Sequence, residues 1–423
     1  MTGRWTRDEF THGHCPGPRY WTPTDYREPA AMADTADVIV IGAGVHGASL
    51  AFHLASRGVR VTIVERAGVA AGATGRSSGL VRVYYDLLAE ARLGWQAQAW
   101  FGEWDERVGG ECGFTVTGFL WIEPADRLDR VRANSASHRA IGVDSTVLAA
   151  DEIRRIAPGL AVGDDVAAYE PDSGYADPSM TTASLIAAAK AKGARLMTGA
   201  EVTAIHQTGG RVTGISTTKG NVDAPIIVNA AGGWAGRVGA LAGMDLPIRI
   251  WRHDTGYLGV PASVPRPIPV VIDIANQMYF RPEGGDMVLI GLEDDGQIGG
   301  DDPDRDTADA APNFQDRAAE RIIRRVPGLI DGDFRTAHSG QDGLTPDQRA
   351  ILGPVGSEGP DGFYLDCGHS GTGFKTAPVV GLGLAEWILD GAPSSADLAP
   401  FAFSRYAEGR LLRGEHGEET TWK

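Results

Sequence analysis

The chain has 423 residues, 43% of them hydrophobic, and 39 Lys+Arg against 55 Asp+Glu give it a net charge of −16. That length can bury a large core and implies two or three domains, while so acidic a chain argues against nucleic-acid or anionic-membrane binding; no apolar run approaches the roughly 20 residues a membrane span needs. Cys15, Cys112 and Cys367 are scattered and form no zinc or CxxC pattern, which points to a reduced, cytoplasmic protein.

Residues 1–35 are rich in Pro, Thr, His and Arg without periodicity, and lack the apolar centre of a signal peptide. A flexible N-terminal extension is predicted. His12, His14 and Cys15 are close enough to suggest metal ligands, but no second ligand cluster partners them, so a surface arm is preferred. The chain then changes character. Val38–Ile41 is an apolar run of the kind that forms a strand buried on both faces, and Gly42-Ala-Gly-Val-His-Gly47 follows at once. A helical segment with Leu50 and Leu54 ends at Gly58, and a second strand, Val59–Val64, leads into Glu65. In this G-x-G-x-x-G order Gly42 permits a tight turn, Gly44 lets backbone approach a pyrophosphate and Gly47 lets helix and strand pack closely. The helix N-terminus presents N–H groups to phosphates, and Glu65, 18 residues after Gly47, suits a ribose hydroxyl. A dinucleotide-binding unit is the reading.

The loop after Glu65, AGVAAGATGRSSGLVR (67–82), is small, polar and glycine-rich, as a loop facing buried phosphate or a cofactor ring would be, and Leu87–Trp104 reads as a helix. Strand-like stretches follow at Phe114–Ile122, Ile248–Val260, Gln277–Arg281 and Met287–Leu292, with a helix at Gln315–Arg325. Tyr257, Tyr279 and Phe280 are candidates to line a pocket, although aromatics on strands are more often core. Residues 299–311, GGDDPDRDTADAA, read as a solvated acidic loop.

GAGVHGASLAFHLASRGVRVTIVER followed by AGATGRSSGLVR resembles the D-amino-acid oxidase/sarcosine oxidase superfamily of FAD-dependent amine oxidoreductases, and later segments match in the family's order over residues 36–395. GYADP (174–178) precedes a helix at Met180–Lys192. GARLMTGAEV (193–202) resembles the strand that lays backbone against the adenine, IIVNAAGGWA (226–235) the second glycine turn, and GFYLDCGHSGTGFKTAP (362–378) the loop and helix start under the flavin ring. Arg252-His253-Asp254 resembles a segment of the branch containing the sarcosine oxidase β-subunit and dye-linked proline dehydrogenase. The resemblance implies an α/β fold in which a Rossmann-type FAD-binding domain (36–113, 173–246 and 341–395) carries an inserted α+β substrate domain built on a mostly antiparallel sheet (114–172 and 247–340), followed by a tail or helix at 396–423.

Cofactor contacts are carried over onto matching positions. They are Gly42, Gly44, Val45, His46 and Gly47 in the first turn, and Glu65 and Arg66 after the second strand. The next loop adds Thr74, Gly75, Arg76, Ser77, Ser78, Gly79 and Leu80. Val202 and the second turn's Ala230, Ala231, Gly232 and Trp234 follow. The last loop adds Gly368, His369, Ser370, Gly371, Thr372, Gly373, Phe374 and Lys375. That loop reads as feeding a helix, Thr376–Leu389, with Pro378 in its first turn, whose N–H dipoles favour negative charge on reduced flavin. Lys375 and Arg82 are the candidate clamps for a substrate carboxylate, and His253 a candidate to tune the amine's proton loss; His46 is given no chemistry. The stretch Met287–Leu292 has no Lys where oxidases of the family carry one, which favours a dehydrogenase over O2 as acceptor. Residues 339–347 have no Cys for flavin attachment, so FAD is expected to be non-covalent, and Asp366-Cys367-Gly368 replaces the signature of flavin monooxygenases. The expected reaction is oxidation of the C–N bond of a secondary or tertiary amino acid, sarcosine-, dimethylglycine- or proline-like, to an imine that hydrolyses. The alternatives are a biosynthetic amine oxidase, a flavoprotein subunit of a larger complex and an NAD-dependent dehydrogenase. Oligomeric state is left open.

Overall fold

A computed structural model describes residues 34–293, 297–298, 302–305 and 309–416, so His12, His14 and Cys15 lie outside the described residues. Its organising sheet has six strands. Val38–Ile41 lies between Val61–Val64 and Ile226–Asn229, Arg195–Met197 extends one side and Phe363–Cys367 the other, all parallel; Ile351–Pro354 pairs antiparallel at the edge. Both faces of the central strands are covered, which is why they read as unbroken apolar runs. On one face Val45–Ser56 packs against Pro178–Ala191 and Gly373–Asp390. On the other lie Ala235–Leu241 and a meander of Val202–Thr208, Arg211–Thr217 and Gly220–Asp223.

A second sheet is mixed but mostly antiparallel, as expected. Arg249–Gly259 pairs along its length with Phe334–Leu344, and next to it come Met287–Leu292, Met278–Glu283, Val270–Asp273, Phe119–Glu123, Val166–Glu170 and Thr146–Leu148. Only the Val270–Asp273 and Phe119–Glu123 pairing is parallel among these. The helix Phe314–Arg325 covers one face, with Phe280, Val288 and Ile290 beneath it. The other face carries Trp251, Tyr279 and Leu289. Among the described residues no helix is long and apolar enough to cross a membrane.

Three local expectations are corrected. Residues 193–202 are not one strand: Arg195–Met197 ends, a turn intervenes, and Val202 begins the meander on a different sheet. Phe114–Ile122 is broken by Gly118, at φ +73°, into Thr115–Val116 and Phe119–Glu123. The described part of the tail, 396–416, holds two short 3-10 turns, Ala399–Phe401 and Phe403–Arg405. The helix placed at Thr376–Leu389 begins at Gly373, so Pro378 falls in its second turn. Proline there cannot donate to the ladder. The facing helix carries a buried polar stripe: His46 Nε2, Ser49 Oγ and His53 Nε2 lie 2.9, 2.8 and 2.9 Å from the carbonyl oxygens of Gly373, Ala377 and Pro378.

Candidate functional site

The site begins at the carboxyl ends of the parallel strands, where the chain turns back at Gly42. That residue has φ +112°, and a Cβ there would stand 2.4 Å from the carbonyl oxygen of Ala230, so the first and second glycine turns are in main-chain contact. Gly47 has the packing role its spacing implied: a Cβ would meet the Gly42 carbonyl at 2.1 Å. Glu65 braces this turn. Its Oε2 accepts from the Ala43 N–H (2.9 Å) and its Oε1 from the Ala67 N–H (2.7 Å), so the carboxylate expected for ribose is already engaged by backbone. Thr74 Oγ1 accepts from the Val45 N–H at 3.1 Å, fastening the following loop over the helix N-terminus.

A cavity of about 500 Å³ runs from this cradle to the second sheet, within the range of small-molecule sites. Most of the expected contacts line it: Gly42, Gly44, Val45, His46, Glu65, Arg66, Thr74, Arg76, Ser77, Ser78, Leu80, Val202, Ala230, Ala231, Gly232, Trp234, His369, Ser370, Gly371, Gly373, Phe374 and Lys375. Gly47, Gly75, Gly79, Gly368 and Thr372 are set behind its wall and shape the turns instead. Gly75, Gly79 and Gly368, for example, leave no room for a Cβ against Ala70, Ala176 and Thr345. At the outer end Arg66 is spoken for. Its guanidinium stacks 4.3 Å from the Trp234 ring centroid and pairs at 2.7 Å with Asp304, which also accepts from Trp234 Nε1 (2.9 Å) and Arg237. The Arg66 and Trp234 hydrogen bonds hold the Asp304 carboxyl below the usual range. The acidic loop read as solvated is thus tied down at Asp302 and Asp304.

At the inner end the wall is buried charge. Arg82, 1% exposed, donates through Nη1 to the Tyr84 carbonyl, while its Nε and Nη2 are buried without a hydrogen-bond partner among the described residues. Lys375, 4% exposed, reaches the Thr372 carbonyl at 3.4 Å, and burial, with Arg82 nearby, drives its ammonium well below the usual lysine range. Both cations lie over the Tyr85 ring, at 4.3 and 5.2 Å. Behind them Glu90 pairs with Arg349 Nε at 3.0 Å, and Glu170 Oε2 accepts from the Val83 N–H (2.9 Å) and Ser173 Oγ (2.7 Å); burial pushes both carboxyls up. Asp342 accepts from the Gly371 N–H at 2.6 Å and fixes the last glycine turn.

The second sheet supplies an aromatic wall. His253 stacks with Trp251 and Tyr279, its Nε2 3.0 Å from the Tyr279 hydroxyl. Burial holds His253 at about 4, hence neutral near pH 7, and pushes the Tyr279 phenol up to about 12. Gly291 makes the wall possible, since a Cβ would fall 2.4 Å from the Tyr279 ring. Of the other aromatic candidates, Phe280 is core and Tyr257 stacks on His338; neither lines the cavity. His46, left without a role by the sequence, stacks on His369, and both face Asp366. Tyr85, Glu90, Glu170, Asp342 and Asp366 were missed. Asp366 lies inside the recognised segment 362–378 but was given no role there; the other four carry no local pattern, and the fold brings them together.

The chain matches the family model for FAD dependent oxidoreductases (DAO) over residues 37–387. It is 29% identical over 381 residues to the mitochondrial sarcosine dehydrogenase of Homo sapiens, covering 86% of this chain and 40% of that protein. It is 25% identical over 403 residues to the sarcosine oxidase subunit beta of an Arthrobacter species, covering 90% of this chain and 93% of that one. Among solved structures, L-proline dehydrogenase from P. horikoshii superposes with a TM-score of 0.82 at 25% identity, covering 90% of this chain and all of the other. The chain spans less than half the length of the sarcosine dehydrogenase it matches.

Proposed function

The chain belongs to the DAO family of FAD-dependent oxidoreductases, and from that premise we propose that it oxidises the C–N bond of a secondary or tertiary amino acid of the sarcosine, dimethylglycine or proline kind. The observation that carries this reading is the unfilled donor pair at the inner end: Arg82, with two buried N–H directions unmet, beside Lys375 in one cavity. Buried donors left unmade are costly, and a carboxylate resolves both at once. The cradle fits FAD for another reason: Gly42 and Gly44 line the cavity with main chain, and a Cβ would strike the Ala230 carbonyl at the first and press on Thr74 at the second.

FAD, when bound, supplies the ring that accepts the hydride. The protein's part is binding and orientation. Arg82 and Lys375 hold the carboxylate, and carboxylate binding returns to Lys375 the counter-charge its burial denies it. The neutral His253 imidazole, held by Tyr279 in a wall that disfavours positive charge, favours the amine that has already lost its proton to solvent and so tunes that proton loss. The aromatic wall of Trp251, His253 and Tyr279 excludes water until the imine forms. Leu289, on the strand Met287–Leu292, is buried in the core, and no lysine on that strand assists O2, which favours a separate electron acceptor. Cys112 and Cys367 lie off the cavity wall, which supports non-covalent FAD, and as free thiols they suit the reducing cytoplasm. A second reading, a flavoprotein subunit of a larger dehydrogenase, is favoured by the near-complete coverage of the Arthrobacter β-subunit. Steady-state kinetics with an artificial acceptor tests the main reading. N-methyl and cyclic amino acids should be oxidised and their esters not; equal rates on acid and ester would overturn it.

A further inference from the structure

Three carboxylate side chains among the described residues line the cavity: Glu65, Glu201 and Asp342. Glu65 braces the first glycine turn, and Glu201 is exposed beside Val202 at the cradle. Asp342 stands elsewhere, among the groups assigned to the substrate. In the pairing of Phe334–Leu344 with Arg249–Gly259 it lies directly opposite Trp251, and Gly340 lies opposite His253. Opposed residues, and residues two apart on one strand, share a face of a sheet, so Asp342 shares the face that carries Trp251 and His253. Trp251 in turn packs on the turn that Asp342 holds, since a Cβ on Gly371 would stand 3.2 Å from its ring. Lys375 begins the helix just beyond. Its ammonium, driven down by burial and by Arg82, is drawn partly back by Glu90 and Asp342.

The Asp342 carboxylate is fixed but not filled. Oδ1 accepts from the Gly343 N–H at 2.7 Å and Oδ2 from the Gly371 N–H at 2.6 Å. Both donors are main chain, so the group is anchored through each oxygen. A carboxylate oxygen has a second lone pair, and the side chain is only half-buried, so each oxygen can accept again. An amino acid gripped by its carboxylate at Arg82 and Lys375 carries its nitrogen one carbon further along, and Asp342 is the carboxylate lining that end.

We propose that Asp342 is the specificity-determining residue for the amine: it accepts the N–H of a secondary amine, so the site selects secondary over tertiary amino acids. The inference rests on the amine-oxidising reading given above and narrows it. The same carboxylate serves the reaction. The C–H bond next to nitrogen breaks with its electron pair leaving as hydride to the flavin, the nitrogen lone pair forms the C=N bond, and the nitrogen becomes positive. A fixed anion beside it favours that charge. A tertiary amine gains this second effect alone, and a secondary amine gains both.

The test compares kcat/KM for sarcosine and N,N-dimethylglycine, with an artificial acceptor, in FAD-loaded wild type and Asp342→Asn. Asparagine leaves one side-chain oxygen where the carboxylate has two. Wild type should favour sarcosine by about tenfold or more, as one hydrogen bond to a charged acceptor allows, and the variant should lose most of that preference. Calorimetric titration with methoxyacetate, which has the carboxylate but no N–H, separates amine recognition from damage to the clamp. The variant should bind it as tightly as wild type or more tightly, because a negative charge near Lys375 is gone. Equal kcat/KM for the two amines in wild type, a preference unchanged in the variant, or weaker methoxyacetate binding overturns the proposal. Should Asp342→Asn fail to fold, Asp342→Ser, which also offers one oxygen, takes its place with the same expectations. If flavin-loaded wild type oxidises neither amine, the amine reading itself fails. Equal rates on the two acids, with their esters still refused, leave that reading standing and remove the role of Asp342 alone.

Discussion

At the Gly42 end the cavity wall is main chain, and at the Lys375 end it is buried charge. The first end is complete as it stands: Glu65, Thr74 and the Ala230 carbonyl meet the glycine turn's groups or fill its contacts. The second is incomplete, since Arg82 keeps two N–H directions unmet and Lys375 sits in an environment that disfavours its charge. One end is shaped to be approached and the other to be neutralised. Substitutions at the first should therefore cost fold and cofactor together, while substitutions at the second should cost function and spare or raise stability.

Gly42→Val should have the largest effect. Its Cβ meets the Ala230 carbonyl at 2.4 Å from a backbone at φ +112°, so a loss of about 3 kcal/mol and a flavin-to-protein ratio near zero are expected. A normal visible spectrum from this variant would break the contrast between the two ends. Lys375→Met should do the opposite. KM for carboxylate substrates should rise about 100-fold, in line with losing one partner of a buried charge pair, with melting temperature unchanged or higher because a buried charge is gone. Unchanged KM would remove the lysine from the site.

The aromatic wall gives a pH test. His253 is held at about 4 against 6.5 in the unfolded chain, so its stabilising share is full above 6.5 and is lost as pH falls toward 4. At pH 5 that is about 2 kcal/mol, and His253→Gln should flatten the denaturation midpoint against pH by that share, leaving those of His53 and His138, also held at about 4. An unchanged pH slope would show His253 is not a buried neutral imidazole. The smallest effect is expected at Asp304→Asn, where exposed pairs with Arg66 and Arg237 are lost. FAD release should quicken about threefold at low salt and less at high salt, as surface ion pairs of under about 1 kcal/mol allow.

The same contrast explains what the sequence disclosed. Glycines in a fixed order around Val38–Ile41 encode a backbone shape locally, so the parallel sheet, the cradle and most of its contacts were legible, and so was the strand Met287–Leu292. The inner end is assembled from Arg82, Tyr85, Glu170, Asp342 and Lys375, which come from segments far apart in the chain. Arg82 and Lys375 were found because they lie inside recognisable loops; Tyr85, Glu170 and Asp342 have no local pattern. Pro378 misplaced the last helix because proline favours a first turn. Residues 193–202 read as one strand because the turn at 198–201 carries no breaker other than Gly199.

The central claim is that an amino acid, gripped by its carboxylate between Arg82 and Lys375, delivers hydride to bound flavin. Anaerobic mixing of the FAD-loaded protein with sarcosine, dimethylglycine, proline and their esters, followed by flavin absorbance, tests it most directly. Bleaching by at least one free acid, abolished by esterification and slowed in Lys375→Met at subsaturating substrate, is the predicted result. Flavin that bleaches equally with acid and ester, or equally in wild type and Lys375→Met, would contradict it.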